Sequence, residues 1–142
     1  MAELATGDEL PSIERVITQD HINLYAEASG DANPLHIDER RAAESRFGRT
    51  IAHGMLVAST VSELMSTAFS MGWLEGGRLK LRFRSPVFPG DKVTAYGVVK
   101  RVREREGRRE VVCVVGVRKQ SGEDAISGEA TAALPTAKDE RS

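Results

Sequence analysis

The chain has 142 residues, with 20 Lys and Arg against 21 Asp and Glu and a formal net charge of −1. That length suits one domain with a real core, and the charge balance gives no global pull towards nucleic acid or an anionic membrane. The single cysteine, Cys113, has no intrachain partner and lies in the apolar run 111–115, which predicts a buried thiol in a reducing compartment.

The first eight residues are polar and acidic, with neither the basic nor the apolar region of a secretory leader. Residues 10–17 read as a short opening strand. Thr18 is placed to cap a helix in which Ile22, Tyr25, Ala26 and Ser29 recur at helical spacing, and Gly30 to end it. The segment Asp31-Ala32-Asn33-Pro34-Leu35-His36 is irregular, since Pro34 keeps Asn33 out of the helical region. Asp38 can cap a second short helix, from Glu39 to about Arg46.

From His53 to about Met71 the pattern predicts a long buried helix. Val57, Val61, Leu64, Met65 and Ala68 form one stripe, widened by Met55, Leu56, Ala58 and Phe69. Glu63, His53 and six hydroxyl residues from Ser59 to Ser70 make it too polar to span lipid. A soluble cytoplasmic protein is expected, with no membrane or nucleic-acid partner.

Past residue 75 the period changes to two. Leu79, Leu81 and Phe83 alternate with Lys80, Arg82 and Arg84, as in a half-buried strand. Pro89-Gly90-Asp91 is a turn, and further strands are expected at 92–103, 109–119 and 125–134, paired consecutively as a meander. The expected architecture is α+β, one helix against a curled antiparallel sheet, in a single domain over 1–142 with its core at about 10–134 and a frayed tail at 135–142.

Two segments can carry chemistry. Asp31 and His36 stand five residues apart around a stiff Asn-Pro, so a carboxylate and an imidazole can reach one cavity, orient a water and shuttle its proton. The same spacing also fits an Asx turn with a surface histidine. His53-Gly54 opens the buried helix, where free N–H groups favour developing negative charge and a glycine lets an oxygen come close; a glycine chosen for packing fits equally.

The elements Asp31-Ala32-Asn33-Pro34-Leu35-His36-Ile37-Asp38 and Ile51-Ala52-His53-Gly54-Met55-Leu56 together resemble the MaoC-like (R)-specific enoyl-CoA hydratases and dehydratases. Phe47-Gly48-Arg49 and Ser85-Pro86-Val87-Phe88-Pro89-Gly90-Asp91 are similar to family sequence, and the resemblance runs from about Val16 to Leu134. It implies a hotdog fold, a homodimer joined edge to edge, an acyl thioester substrate on coenzyme A or acyl carrier protein, and no metal or redox cofactor. It assigns the hydration pair to Asp31 and His36 and the thioester-oxygen donor to Gly54 N–H. Asn33, His53, Ser62 and Met65 are expected at the substrate, with His53 shaping the oxyanion loop. Related dehydratases share the motif, so the direction of the reaction stays open.

Other features are weaker. Arg82 and Arg84, with Arg78 and Lys80, form a strand face that can meet coenzyme A phosphates or simply be solvated. Arg101, Arg103, Arg105, Arg108 and Arg109, broken by Glu104, Glu106 and Glu110, read as a solvated mixed-charge turn. Glu63 on the buried helix raises the competing reading of a thioesterase. A non-catalytic acyl-thioester binding subunit is the reading outside enzymology.

Overall fold

Residues 4–135 are described by the computed structural model, so the tail expected to fray lies, from residue 136 on, outside the described residues. The opening strand is β1 (Ile13–Val16), shorter than expected. Helix α1 (Gln19–Ser29) starts at Thr18, whose side chain accepts from His21 N–H while the His21 ring accepts from Thr18 N–H, and it ends at Gly30 with φ 81°. The Asp31–His36 segment is not wholly irregular. Asn33 caps a single turn, α2 (Pro34–Ile37), because Pro34 at the first helical position has no N–H to leave unpaired. Asp38 caps α3 (Glu39–Ala43), which stops three residues short of Arg46.

The long helix is α4 (Gly54–Phe69), followed after Ser70 by a short α5 (Met71–Gly76). Val57, Val61, Leu64, Met65 and Phe69 on α4 are buried against Val93, Ala95 and Val99, Val111 to Val117 at odd positions, and Ile126, Ala130 and Ala132. This is the main core: a helix apolar on most sides, with a sheet curled round it. Cys113 is fully buried there, and desolvation pushes its thiol up to about 11.

The strands β2 (Arg78–Phe83), β3 (Lys92–Arg105), β4 (Arg108–Lys119) and β5 (Asp124–Pro135) join β1 in an antiparallel sheet of order β1-β3-β4-β5-β2. Only β3, β4 and β5 form the expected meander. Their first hairpin turns at Glu106 and Gly107, both at positive φ (52° and 76°), as a two-residue turn matched to strand twist requires. β2 does not pair with β3. It crosses to the far side of β5, Arg78 opposite Thr131 and Phe83 opposite Ile126, leaving β1 to cover β3. The expected half-burial of β2 therefore fails: on an edge it exposes both faces, including Leu79 at 41% and Phe83 at 56%. Among the described residues, no helix is long and apolar enough to cross a membrane.

Candidate active site

The left-handed Gly30 turns the chain out of α1 and delivers Asp31. Ser29 Oγ accepts from Asp31 N–H at 3.1 Å, and Asp31 Oδ1 accepts from Asn33 N–H at 3.4 Å, so the carboxylate is held in a local turn yet stays exposed. Asn33 spends its Oδ1 on Leu35 N–H at 3.0 Å and so caps the turn that follows. That one turn of helix swings His36 back towards Asp31. Its main chain is anchored by Gln19, which donates to His36 O at 2.9 Å and accepts from Thr50 Oγ1 at 2.8 Å.

His36 Nδ1 lies 2.8 Å from Ile51 O, and His53 Nε2 lies 2.8 Å from Asp31 O. A carbonyl only accepts, so each of these nitrogens carries the proton, a tautomer assigned from its hydrogen-bond partner. In the neutral ring His36 Nε2 is then the nitrogen that carries the lone pair. The two rings stack at 3.9 Å with 24° between planes, and Tyr25 closes on His53 at 4.7 Å and 57°. His53 is buried at 2%, and its Nδ1 has no partner among the described residues. It joins the Asp31 loop, the His36 ring and the start of α4.

Ligand atoms of Asp31, His36 and His53 lie within 4.8 Å of one another, a set that could be asked to hold a metal. In each ring one nitrogen donates to a carbonyl, which leaves the other nitrogen of the neutral ring as the available lone pair. The arrangement suits moving a proton.

Gly54 follows His53 as the first residue of α4, where N–H groups have no partner within the helix. It opens onto a cavity of about 240 Å³ whose apolar floor includes Ala52, Val57 and Val87 and whose rim carries Arg46 and Arg84. The Phe83 ring lies directly over Gly54: a Cβ there would come within 2.9 Å of it. Arg84 also donates to Ser127 Oγ. Of the expected residues, Gly54 and Arg84 line this cavity; Asp31, Asn33, His36, His53, Ser62, Met65 and Arg82 do not. Ser62 Oγ accepts from Trp73 Nε1 at 3.1 Å, and Met65 is fully buried in the core. Glu63 is ion-paired with Arg15 of β1.

Residues 3–122 match the family described as the MaoC like domain. The chain belongs to that family. A mitochondrial 3-hydroxyacyl-[acyl-carrier-protein] dehydratase of Arabidopsis thaliana is 36% identical over 135 residues, covering 93% of this chain and 78% of that one. An (R)-specific enoyl-CoA hydratase of Aeromonas caviae is 39% identical over 112 residues, covering 78% and 81%. The solved structure of an (R)-hydratase from A. caviae involved in PHA biosynthesis superposes with a TM-score of 0.80 at 33% identity, covering 95% of this chain and all of that one. The sheet wrapped on α4 is accordingly the hotdog fold of MaoC-like hydratases.

In this MaoC-like chain several site residues escaped the sequence reading. Gln19, Tyr25, Arg46 and Phe83 carry no local signal. Gln19, Tyr25 and Phe83 meet the site through contacts distant in sequence, with His36, His53 and Gly54 respectively, the first of them 17 positions apart.

Proposed function

We propose that the chain catalyses the reversible, (R)-specific hydration of trans-2-enoyl-CoA to (R)-3-hydroxyacyl-CoA, with Asp31 and His36 as the proton-handling pair and Gly54 N–H as the oxyanion donor. The observation that carries this reading is the His36–Ile51 hydrogen bond. It selects the tautomer in which Nε2, beside an exposed carboxylate, carries the lone pair of the neutral ring, the form in which an imidazole acts as a general base.

Water held between the Asp31 carboxylate and His36 Nε2 attacks C3 of the enoyl group. Its proton passes to the pair, electrons move towards the thioester carbonyl, and a proton returns to C2. The enolate-like oxygen faces Gly54 N–H and the positive end of α4; one such donor is worth about 10²–10³ in rate. Phe83 and the apolar cavity floor shield the interaction from water. Run backwards, the same steps dehydrate 3-hydroxyacyl groups on coenzyme A or acyl carrier protein, in keeping with the relatives of both names. The (R) outcome is expected from the resemblance, which places both residues on one face of the double bond.

The thioesterase reading is weaker, because Glu63 is tied to Arg15 and sits in none of the site's contacts. A non-catalytic binding subunit has no use for a water-activating pair. The proposed assembly is a homodimer: the exposed edge strand β2, with Leu79, Phe83 and nearby Met55 at 61% exposure, needs a cover. The test is loss of enoyl absorbance with crotonyl-, octenoyl- and dicarboxylic enoyl-CoAs, followed by chiral analysis of the product. No turnover, or a mainly (S) product, would sink it.

A further inference from the structure

The arginine-rich β3–β4 hairpin is not a merely solvated turn. The pleat that sends Val111 and Cys113 into the core sends Glu110 to the outer face of the sheet, yet Glu110 is only 5% exposed. Guanidinium groups bury it. Arg78, from the far edge strand β2, donates to Glu110 Oε2 at 2.6 Å; Arg103 Nη2 stands 3.7 Å from the same oxygen and Arg105 Nη1 3.7 Å from Oε1. Beside them a cavity of about 260 Å³ is lined by Arg78, Arg105, Arg108, Glu106 and Glu110. Arg78 and Arg103 also flank a second groove of about 470 Å³, to which Lys80 and Arg101 contribute.

Three guanidiniums converge on one carboxylate, in a protein whose net charge is −1. Like charges held this close repel unless an anion sits among them. Glu110 supplies one, from below, and holds Arg78 by a hydrogen bond; each arginine keeps further N–H donors unspent. Preorganised, electron-poor forks facing open cavities are what a phosphate group needs for bidentate binding.

We propose that this cluster is a second anion site, which holds a phosphate group between Arg78, Arg103 and Arg105 over the buried Glu110. It lies away from Asp31 and His36: Arg78 and Phe83 mark opposite ends of β2, about 17 Å apart at the usual strand rise. The phosphate can come from the phosphoadenosine end of the thioester's own carrier, a source that rests on the proposed function, or from free phosphate.

The test begins with thermal melts of the full chain in inorganic phosphate and in pyrophosphate, against sodium chloride at matched ionic strength. At about ten times the dissociation constant, linkage predicts a rise of roughly 3–5 °C. The double variant Arg103→Gln/Arg105→Gln, which keeps the Arg78–Glu110 hydrogen bond, loses that rise, whereas Arg84→Gln at the catalytic cavity keeps it. Kinetics separate the sources. If the carrier supplies the phosphate, the double variant raises KM about tenfold for crotonyl-CoA and leaves KM for crotonyl-pantetheine unchanged. If free phosphate is the ligand, both KM values stay put while the thermal shift disappears. No phosphate-specific rise in the wild type, or an equal rise in the double variant, overturns the site. The melts need no turnover, so failure of the hydratase reading would show separately, as inactivity towards both substrates.

Discussion

Replacing Asp31 by asparagine removes a charge and almost nothing else. Among the described residues the only side-chain bond of Asp31, Oδ1 accepting from Asn33 N–H at 3.4 Å, can be made equally by an amide oxygen, and His53 bonds to the Asp31 main-chain carbonyl. The side chain is exposed, so no cavity opens. The expected change in folding free energy is therefore within about 0.5 kcal/mol, the usual range for surface substitutions. Catalysis is another matter. An amide cannot take a proton from water, and losing acid–base help of this kind costs about 10²–10⁴ in kcat, equivalent to about 2.7–5.4 kcal/mol of barrier. His36→Gln should cost a similar amount, and the double variant little more than either single one, because both side chains act on one water. The assay is initial-rate loss of enoyl absorbance at saturating crotonyl-CoA, with circular dichroism and a thermal melt to show folding. Near-wild-type kcat in a folded Asp31→Asn protein, or strictly multiplicative losses in the double variant, would refute the shared-water mechanism.

Glu63→Gln should keep near-wild-type hydration and cost at most about 1 kcal/mol, since its pair with Arg15 is half exposed (side chains 40% and 51%); loss of activity there would revive the thioesterase reading. Met65→Ala should cost about 2–5 kcal/mol by denaturant titration, because Met65 is fully buried. If it borders the acyl pocket, the kcat/KM ratio for octenoyl- over crotonyl-CoA also rises, and an unchanged ratio assigns it to the core alone. Asp91 is partly desolvated, which raises its carboxyl, but hydrogen bonds from Gln120 and Phe88 N–H and the nearby Lys119 ammonium outweigh that and hold it below the ordinary 3.8. A depressed folded value adds stability above about pH 3.8 that is lost as the pH falls through the folded value. Melting temperatures of wild type and Asp91→Asn should therefore differ most near neutral pH and converge in acid; a constant difference would contradict this. Light scattering should give about twice the 15.5 kDa chain mass, and Phe83→Lys on the β2 edge should shift the protein towards monomer.

The helices were legible in the sequence because their signals are local. The Thr18 cap, the Gly30 stop, the Asp38 cap and the apolar stripe of α4 each depend on residues within a few positions, and each is found where expected. The spacing of Asp31 and His36 was open between a shared cavity and an Asx turn, and the structure shows both the turn, through Asn33 N–H on Asp31 Oδ1, and the closeness of the two side chains. What could not be read was anything settled by which strand lies beside which. A period of two says that a strand has two faces, but not that β2 would cross to β5 and expose both. That crossing brings Phe83 over Gly54 and Arg78 onto Glu110, across 29 and 32 residues of chain. The tautomers of His36 and His53 were likewise beyond the sequence. Each is set by a backbone carbonyl 15 or 22 residues away, and such an acceptor, common to every residue type, leaves no mark on composition or spacing.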